Sequence, residues 1–162
     1  MESIDSAQLI LLAEDDEEMR RTLSGLLRAQ GYRVDECSDG LALLKIFGAP
    51  GPQSHGPGYS LLISDIRMPS LSGLDILEGF HGRPGFPPVI LITAFGDGET
   101  HARARESGAI AVLDKPFEVD CLLAMVGRIV GQSTRIQAAL AAQRFGPSAS
   151  PEMHQGLPSP SR

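Results

Sequence analysis

Glu14, Asp15 and Asp16 form an unbroken acidic run directly after the apolar stretch 8–13, and Asp65 follows a second such stretch at 60–64. Thr93 and Ala94 come after a third at 89–92, and Lys115 with Pro116 shortly after a fourth at 109–113. Carboxylates brought together repel one another and stay ionised only with a cation among them. A hard divalent ion with oxygen ligands meets that need, and Mg²⁺ (or Mn²⁺) suits carboxylates that also hold a phosphate. Lysine is a compact cation able to pair with a phosphate oxygen, and a threonine hydroxyl can donate to another. In one place, these groups would serve phosphoryl transfer, in which positioning and charge neutralisation supply most of the catalysis. They are spread over roughly a hundred residues, so only a fold can assemble them.

The apolar stretches have the length of strands. QLILLA (8–13), Tyr32 to Glu36, SLLIS (60–64), Val89 to Ile92 and AIAVL (109–113) read as five of them. Asp16 and Glu17 suit a helix N-terminus, Leu23, Leu26 and Leu27 give helical spacing, and Gly31 ends that helix. Ser38-Asp39-Gly40 caps a helix through Phe47, and Gly73 to Phe80 form the next. Gly98 to Ser107 read as a helix stopped at Gly108, and Glu118 to Val130 as the last. The Gly/Pro-dense segment 48–58 is a loop. Five βα units with continuous rather than alternating apolar strands imply a parallel sheet covered on both faces. The fold class is therefore α/β, a doubly wound five-stranded parallel sheet, with functional groups at the carboxyl ends of its strands. The acids, the threonine and the lysine all fall there.

The chain carries a net charge of −6, unevenly distributed. Residues 1–130 hold 11 Lys+Arg against 19 Asp+Glu, and residues 131–162 hold Arg135, Arg144 and Arg162 against Glu152. An acidic body argues against direct DNA binding. No apolar run reaches membrane-spanning length and the N-terminus lacks a secretory layout, so a cytoplasmic location without membrane contact is expected. Cys37 and Cys121 lie far apart without metal-like spacing, and two reduced thiols are expected rather than a disulfide. His55, His81, His101 and His154 show no ligand spacing and are expected to be solvated.

Taken singly, each feature has an ordinary explanation. Adjacent acids complement a helix dipole, Asp65 could form a turn, Thr93 could cap a helix and Lys115 could be a surface charge. The joint occurrence on successive strand ends weighs against four such coincidences. The segments ILLAEDDEEMR (10–20), LLISDIRMPSLSG (61–73), VILITAFGD (89–97) and LDKPF (113–117) together resemble the receiver domain of bacterial two-component response regulators. The wording is that of receivers in multidomain transcriptional regulators, and the resemblance covers roughly residues 7–130.

That resemblance implies a flavodoxin-like sheet in the order 2-1-3-4-5, a sensor histidine kinase as donor, and Asp65 as phosphoacceptor. It implies a metal held by Asp15, Asp65 and the backbone carbonyl of Arg67, with Glu14 acting through water. Arg20, five residues after Asp15, sets this register, and an Asp15/Asp16 pair is the alternative. Thr93, Ala94 and Lys115 are implied to bind the phosphate and throw the switch. The usual aromatic three residues before the lysine is replaced by Val112, a stiff β-branched side chain. Output is then expected through the 94–100 loop and the helix after it. Arg67 and Phe95 occupy the two positions that tune phosphoryl lifetime in the family, where both are bulky.

Beyond the receiver (1–130), residues 131–145 read as an extension of the last helix or a linker, and 146–162 as a disordered tail. Apolar or small residues at 122, 126, 129, 133, 136 and 140 make a short heptad seam suited to a homodimer contact. Gly127 and Gly131 could instead end the helix. The expected function is phosphorylation-controlled binding of a downstream protein or output domain, with no catalysis beyond the chain's own phosphorylation and dephosphorylation. A pseudo-receiver working without phosphorylation is the alternative. A Mg²⁺-dependent phosphatase of the haloacid dehalogenase arrangement would need an acid where Arg67 stands.

Overall fold

A computed structural model describes residues 8–48 and 58–144. Five strands alternate with five helices: β1 (Leu9–Ala13), α1 (Glu17–Ala29), β2 (Arg33–Cys37), α2 (Gly40–Phe47) and β3 (Leu61–Asp65). Then come α3 (Gly73–Phe80), β4 (Val89–Thr93), α4 (Gly98–Glu106), β5 (Ala111–Asp114) and α5 (Val119–Arg144). All neighbouring strands pair in parallel, in the order β2-β1-β3-β4-β5. The expected doubly wound α/β fold is thus observed.

The three central strands are buried at every position, which is why their sequences are continuously apolar. Edge strand β2 is buried only at Val34 and Cys37 and carries charges elsewhere. One core cluster joins Ile10, Leu12, Ile63, Ile90 and Ile92 of the sheet to Leu23 and Leu27 of α1 and Leu122, Val126, Ile129 and Val130 of α5. The other joins Leu11, Leu62 and Leu91 to Leu43 of α2, Leu74, Ile76, Leu77 and Phe80 of α3, and Ala104 of α4. Alternate residues of each strand feed opposite faces, so both helix layers are anchored by the same five-residue runs.

Helix boundaries obey cap chemistry. Asp16, Asp39, Ser72 and Asp97 each accept an amide hydrogen bond at the start of α1, α2, α3 and α4. Gly31 and Gly108 adopt φ of 95° and 100° after α1 and α4. There the Tyr32 amide bonds Leu27 O at 3.3 Å and the Ala109 amide bonds Ala104 O at 2.9 Å. These helix-closing bonds use up Tyr32 and Ala109, so β2 begins at Arg33 and β5 at Ala111, slightly later than their apolar patterns suggest.

The last helix differs most from expectation: it passes through both Gly127 and Gly131 to Arg144. Each glycine costs about 1 kcal/mol relative to alanine. Burial of Leu122, Val126, Ile129 and Val130 offsets that cost in the first half. Beyond it, Gln8 Nε2 donates to Thr134 Oγ1 at 3.1 Å, tying the helix to the start of β1. The heptad seam is consequently divided. Its members up to Ile129 belong to the domain's own core, whereas Ile136 and Leu140 are 61 % and 56 % exposed. Only the distal half is free to meet a second chain, which narrows the expected 122–140 contact. Most of the 48–58 loop and the tail expected to be disordered, 146–162, lie outside the described residues.

Candidate functional site

Asp65 ends β3, Glu14 and Asp15 follow β1, and Lys115 follows β5, so the parallel sheet delivers all four to its carboxyl edge. Carboxylate oxygens of Glu14, Asp15 and Asp65 lie within 4.8 Å of one another. Lys115 Nζ donates to Asp65 Oδ2 at 2.5 Å and to Glu14 Oε2 at 3.1 Å. The remaining oxygen of Asp65, Oδ1, accepts from the Arg67 amide at 2.9 Å. Asp65 and Glu14 are buried, whereas Asp15 is exposed.

Asp16 takes no part in this cluster. Its Oδ1 accepts the Met19 amide at 2.8 Å as the N-cap of α1, while its own amide donates to Glu14 Oε1 at 3.1 Å. Geometry therefore groups Glu14 with Asp15, not Asp15 with Asp16. Three hard carboxylate donors around one point are a donor set that fits Mg²⁺.

Thr93 ends β4, one position past the Asp65–Ile92 pairing, and is fully buried. Its Oγ1 accepts the Phe95 amide at 3.2 Å, which leaves the hydroxyl hydrogen free for a further acceptor. Its carbonyl accepts the Lys115 amide at 2.7 Å, joining the threonine and lysine segments. Ala94 is exposed at the same edge.

Burial and neighbouring charge together set the titration of this group. Burial pushes Glu14 up to about 7; the Asp16 amide and Lys115 oppose this, while the neighbouring Asp65 charge adds to it. For Lys115 burial acts downward, but hydrogen bonds to Asp65 and Glu14 outweigh it and raise its pKa. The ammonium remains charged where two buried carboxylates need it.

Comparison with known proteins supplies the context. The family model described as "Response regulator receiver domain" matches residues 10–127. The transcriptional regulatory protein FixJ of Bradyrhizobium diazoefficiens is 32% identical over 124 residues, covering 76% of this chain and 57% of FixJ. PdtaR of Mycobacterium tuberculosis is 32% identical over 130 residues, covering 80% of this chain and 60% of PdtaR. A receiver domain from Methanospirillum hungatei superposes with a TM-score of 0.68 at 26% identity, covering 80% of this chain and 98% of that one. This chain belongs to the response regulator receiver domain family. It spans little more than half the length of these two curated relatives.

Within this receiver, the family's unusual positions have definite settings. Val112 is half-buried and packs against the α3 side of the core. Arg67 and Phe95 do not stand apart: the guanidinium lies 4.5 Å from the centroid of the Phe95 ring. Phe95 is 67 % exposed, so the stacked pair lies at the surface, on the segments that directly follow Asp65 and Thr93.

Two features escaped the sequence. A Cβ on Gly73 would come within 2.4 Å of the Asp65 carbonyl oxygen, so the start of α3 packs directly against the Asp65 backbone. A glycine two turns of chain beyond an acidic residue gives no such signal. The expectation of solvated histidines also needs correction, because His101 Nε2 lies 2.9 Å from Asp114 Oδ1 and its ring is largely covered. The backbone of Gly96 runs against the pair, leaving no room for a Cβ between Thr93, His101 and Asp114. His81 is exposed as expected, and His55 and His154 lie outside the described residues. Cys37 and Cys121 are free thiols, one buried and one exposed. Among the described residues no helix is long and apolar enough to cross a membrane.

The Glu14 shift has a testable sign. A carboxyl raised from 4.5 to about 7 holds its proton more tightly when folded, so its stabilising contribution is present below pH 4.5 and lost as pH rises through about 7. In metal-free solution with chelator, the melting temperature of Glu14→Gln minus that of wild type should therefore rise between pH 5 and pH 8. A difference flat across this range, followed by calorimetry, would contradict the assignment.

Proposed function

We propose that this receiver accepts a phosphoryl group from a sensor histidine kinase onto Asp65 and thereby changes its affinity for a downstream protein or output domain. The observation that carries this reading is the convergence of Lys115 on Asp65 Oδ2 and Glu14 Oε2 beside Asp15. In the transfer, an Asp65 oxygen forms the new O–P bond as the P–N bond to the donor imidazole breaks, and the imidazole leaves with a proton. Bound Mg²⁺ would neutralise phosphoryl charge in the acid cluster, held by Asp15, Asp65 and the Arg67 carbonyl, with Glu14 acting through water. Lys115 is placed to pair with a phosphoryl oxygen once it leaves Asp65 Oδ2. The Thr93 hydroxyl hydrogen and the Ala94 amide would take the others, drawing the 94–97 loop inward.

The chain is a self-modifying switch rather than a turnover enzyme, working in the cytoplasm. Its lifetime as a phosphoprotein is set, in this reading, by the Arg67–Phe95 cover, which keeps water from the acyl phosphate. Val112 offers no swinging ring, so output would pass through the 94–100 loop into α4, a helix with Ala104 as its one buried residue. The distal stripe of Ile136 and Leu140 is the contact we assign to a second copy of this chain, since its residues are apolar, one turn apart and exposed. The 131–145 segment would then be a helical link and 146–162 a tail.

Incubation with acetyl phosphate and Mg²⁺ should add one phosphoryl mass to wild type and none to Asp65→Asn, as read by intact mass. No adduct on wild type would favour a phosphorylation-independent pseudo-receiver, and sustained release of phosphate a phosphatase. Autodephosphorylation should quicken several-fold in both Arg67→Ala and Phe95→Ala, with the double variant little faster than either, because each removes half of one stacked pair. Unchanged rates in both would sink the cover. In sedimentation, Ile136→Asp with Leu140→Asp should abolish any dimer formed by wild type. A dimer that survives the pair places the contact elsewhere.

A further inference from the structure

Arg20 reaches back from α1 to the turn that carries the two acids. Its Nη1 donates to the backbone carbonyl of Glu14 at 2.8 Å, a group in a residue that is itself buried. The Arg20 side chain is only 18 % exposed, and its guanidinium is braced from β2, where Glu36 Oε1 lies 3.8 Å from Nε. Glu36 is held in turn, its Oε2 accepting from Arg28 Nη2 at 3.2 Å while the same nitrogen donates to Val34 O. The Glu14 amide donates to Cys37 O at 3.1 Å. Glu14 is thus gripped on both sides of its peptide, by β2 through its amide and by Arg20 through its carbonyl.

We propose that Arg20 is the positioning residue of the acid pair, fixing the β1–α1 turn so that Glu14 and Asp15 present their carboxylates together with Asp65. The proposal rests on the reading of these acids as the metal-holding group. Arg20 touches neither phosphate nor metal and acts only through the turn. The carbonyl precedes Asp15 by one peptide, so rotation of that peptide redirects Asp15 first. An unbraced turn would leave the two acids free to move apart and relieve their mutual repulsion, at the expense of ion binding. Groups that orient metal ligands in this way typically contribute about 10–100-fold to metal affinity.

Charge alone predicts the opposite. A cation beside three carboxylates competes with a divalent ion, so deleting it should tighten Mg²⁺ binding. The sign of the effect therefore decides between a positioning role and a merely electrostatic one. Titrate Mg²⁺ calorimetrically, at pH 8 and without phosphodonor, into wild type, Arg20→Met, Arg20→Lys and Glu36→Gln. Positioning predicts weaker binding in Arg20→Met by on the order of tenfold, partial recovery in Arg20→Lys, which keeps one donor for the carbonyl, and a smaller loss in Glu36→Gln. A purely structural Arg20 would lower the melting temperature yet leave the affinity of the folded protein unchanged. Unchanged or tighter binding in Arg20→Met overturns the proposal. Should that variant not fold, equal affinities in wild type, Arg20→Lys and Glu36→Gln overturn it. Wild type that binds no Mg²⁺ overturns the reading of the acids and this inference with it, whereas normal wild-type binding with an unaffected Arg20→Met overturns the role of Arg20 alone.

Discussion

The ammonium of Lys115, shared between Asp65 and Glu14, is the interaction around which the molecule is arranged. Two buried carboxylates and a third beside them would be costly to ionise together, and one partly buried cation relieves only part of that cost. What Lys115 leaves uncompensated, burial first and the neighbouring Asp65 charge second, appears as the raised pKa of Glu14. In the proposed function, a bound cation would offset this charge, and Lys115 would exchange a carboxylate for a phosphoryl oxygen.

Holding such a cluster together requires a rigid frame, and the sheet provides it. β1, β3 and β4 are buried at every residue, so their carboxyl ends cannot shift without disturbing both core clusters. Around that frame the turns are individually fixed. Asp16 caps α1, Gly73 lets α3 approach the Asp65 carbonyl, and the Lys115 amide is bonded to Thr93 O. The segment after Thr93 leads into a helix that buries only Ala104, so it is tied to the core by fewer contacts than the other turns.

That division bears on signalling. Val112, which stands in place of an aromatic ring, is a stiff side chain half-buried against the core. The 94–97 loop lies between Thr93 on one side and the His101–Asp114 pair on the other, and Gly96 leaves no slack among them. In the proposed function, a displacement at Thr93 would reach α4 through these contacts. At the other end of the domain, the hydrogen bond from Gln8 to Thr134 ties α5 to the start of β1, beyond the helix's last core residue.

Local sequence determined the strand and helix types, because continuous apolar runs of five and short capping residues act within a few positions of themselves. It also determined which acids, hydroxyl and lysine would meet, since right-handed βαβ crossovers allow few arrangements of five such units. For the acidic run the sequence already favoured Glu14 with Asp15, through Arg20 and an Asp16 suited to a helix start, and the tertiary structure adds the bond from the Met19 amide that spends Asp16 on α1. Tertiary structure alone decided the partnerships of Arg20 with the Glu14 carbonyl, Arg67 with Phe95, and His101 with Asp114. Long side chains reach over several ångströms in many directions, and the partner is chosen by packing between elements, not by spacing along the chain. Helix α5 makes the point from the backbone: two glycines argue locally for a stop, and burial against the sheet together with the Thr134 contact overrules them.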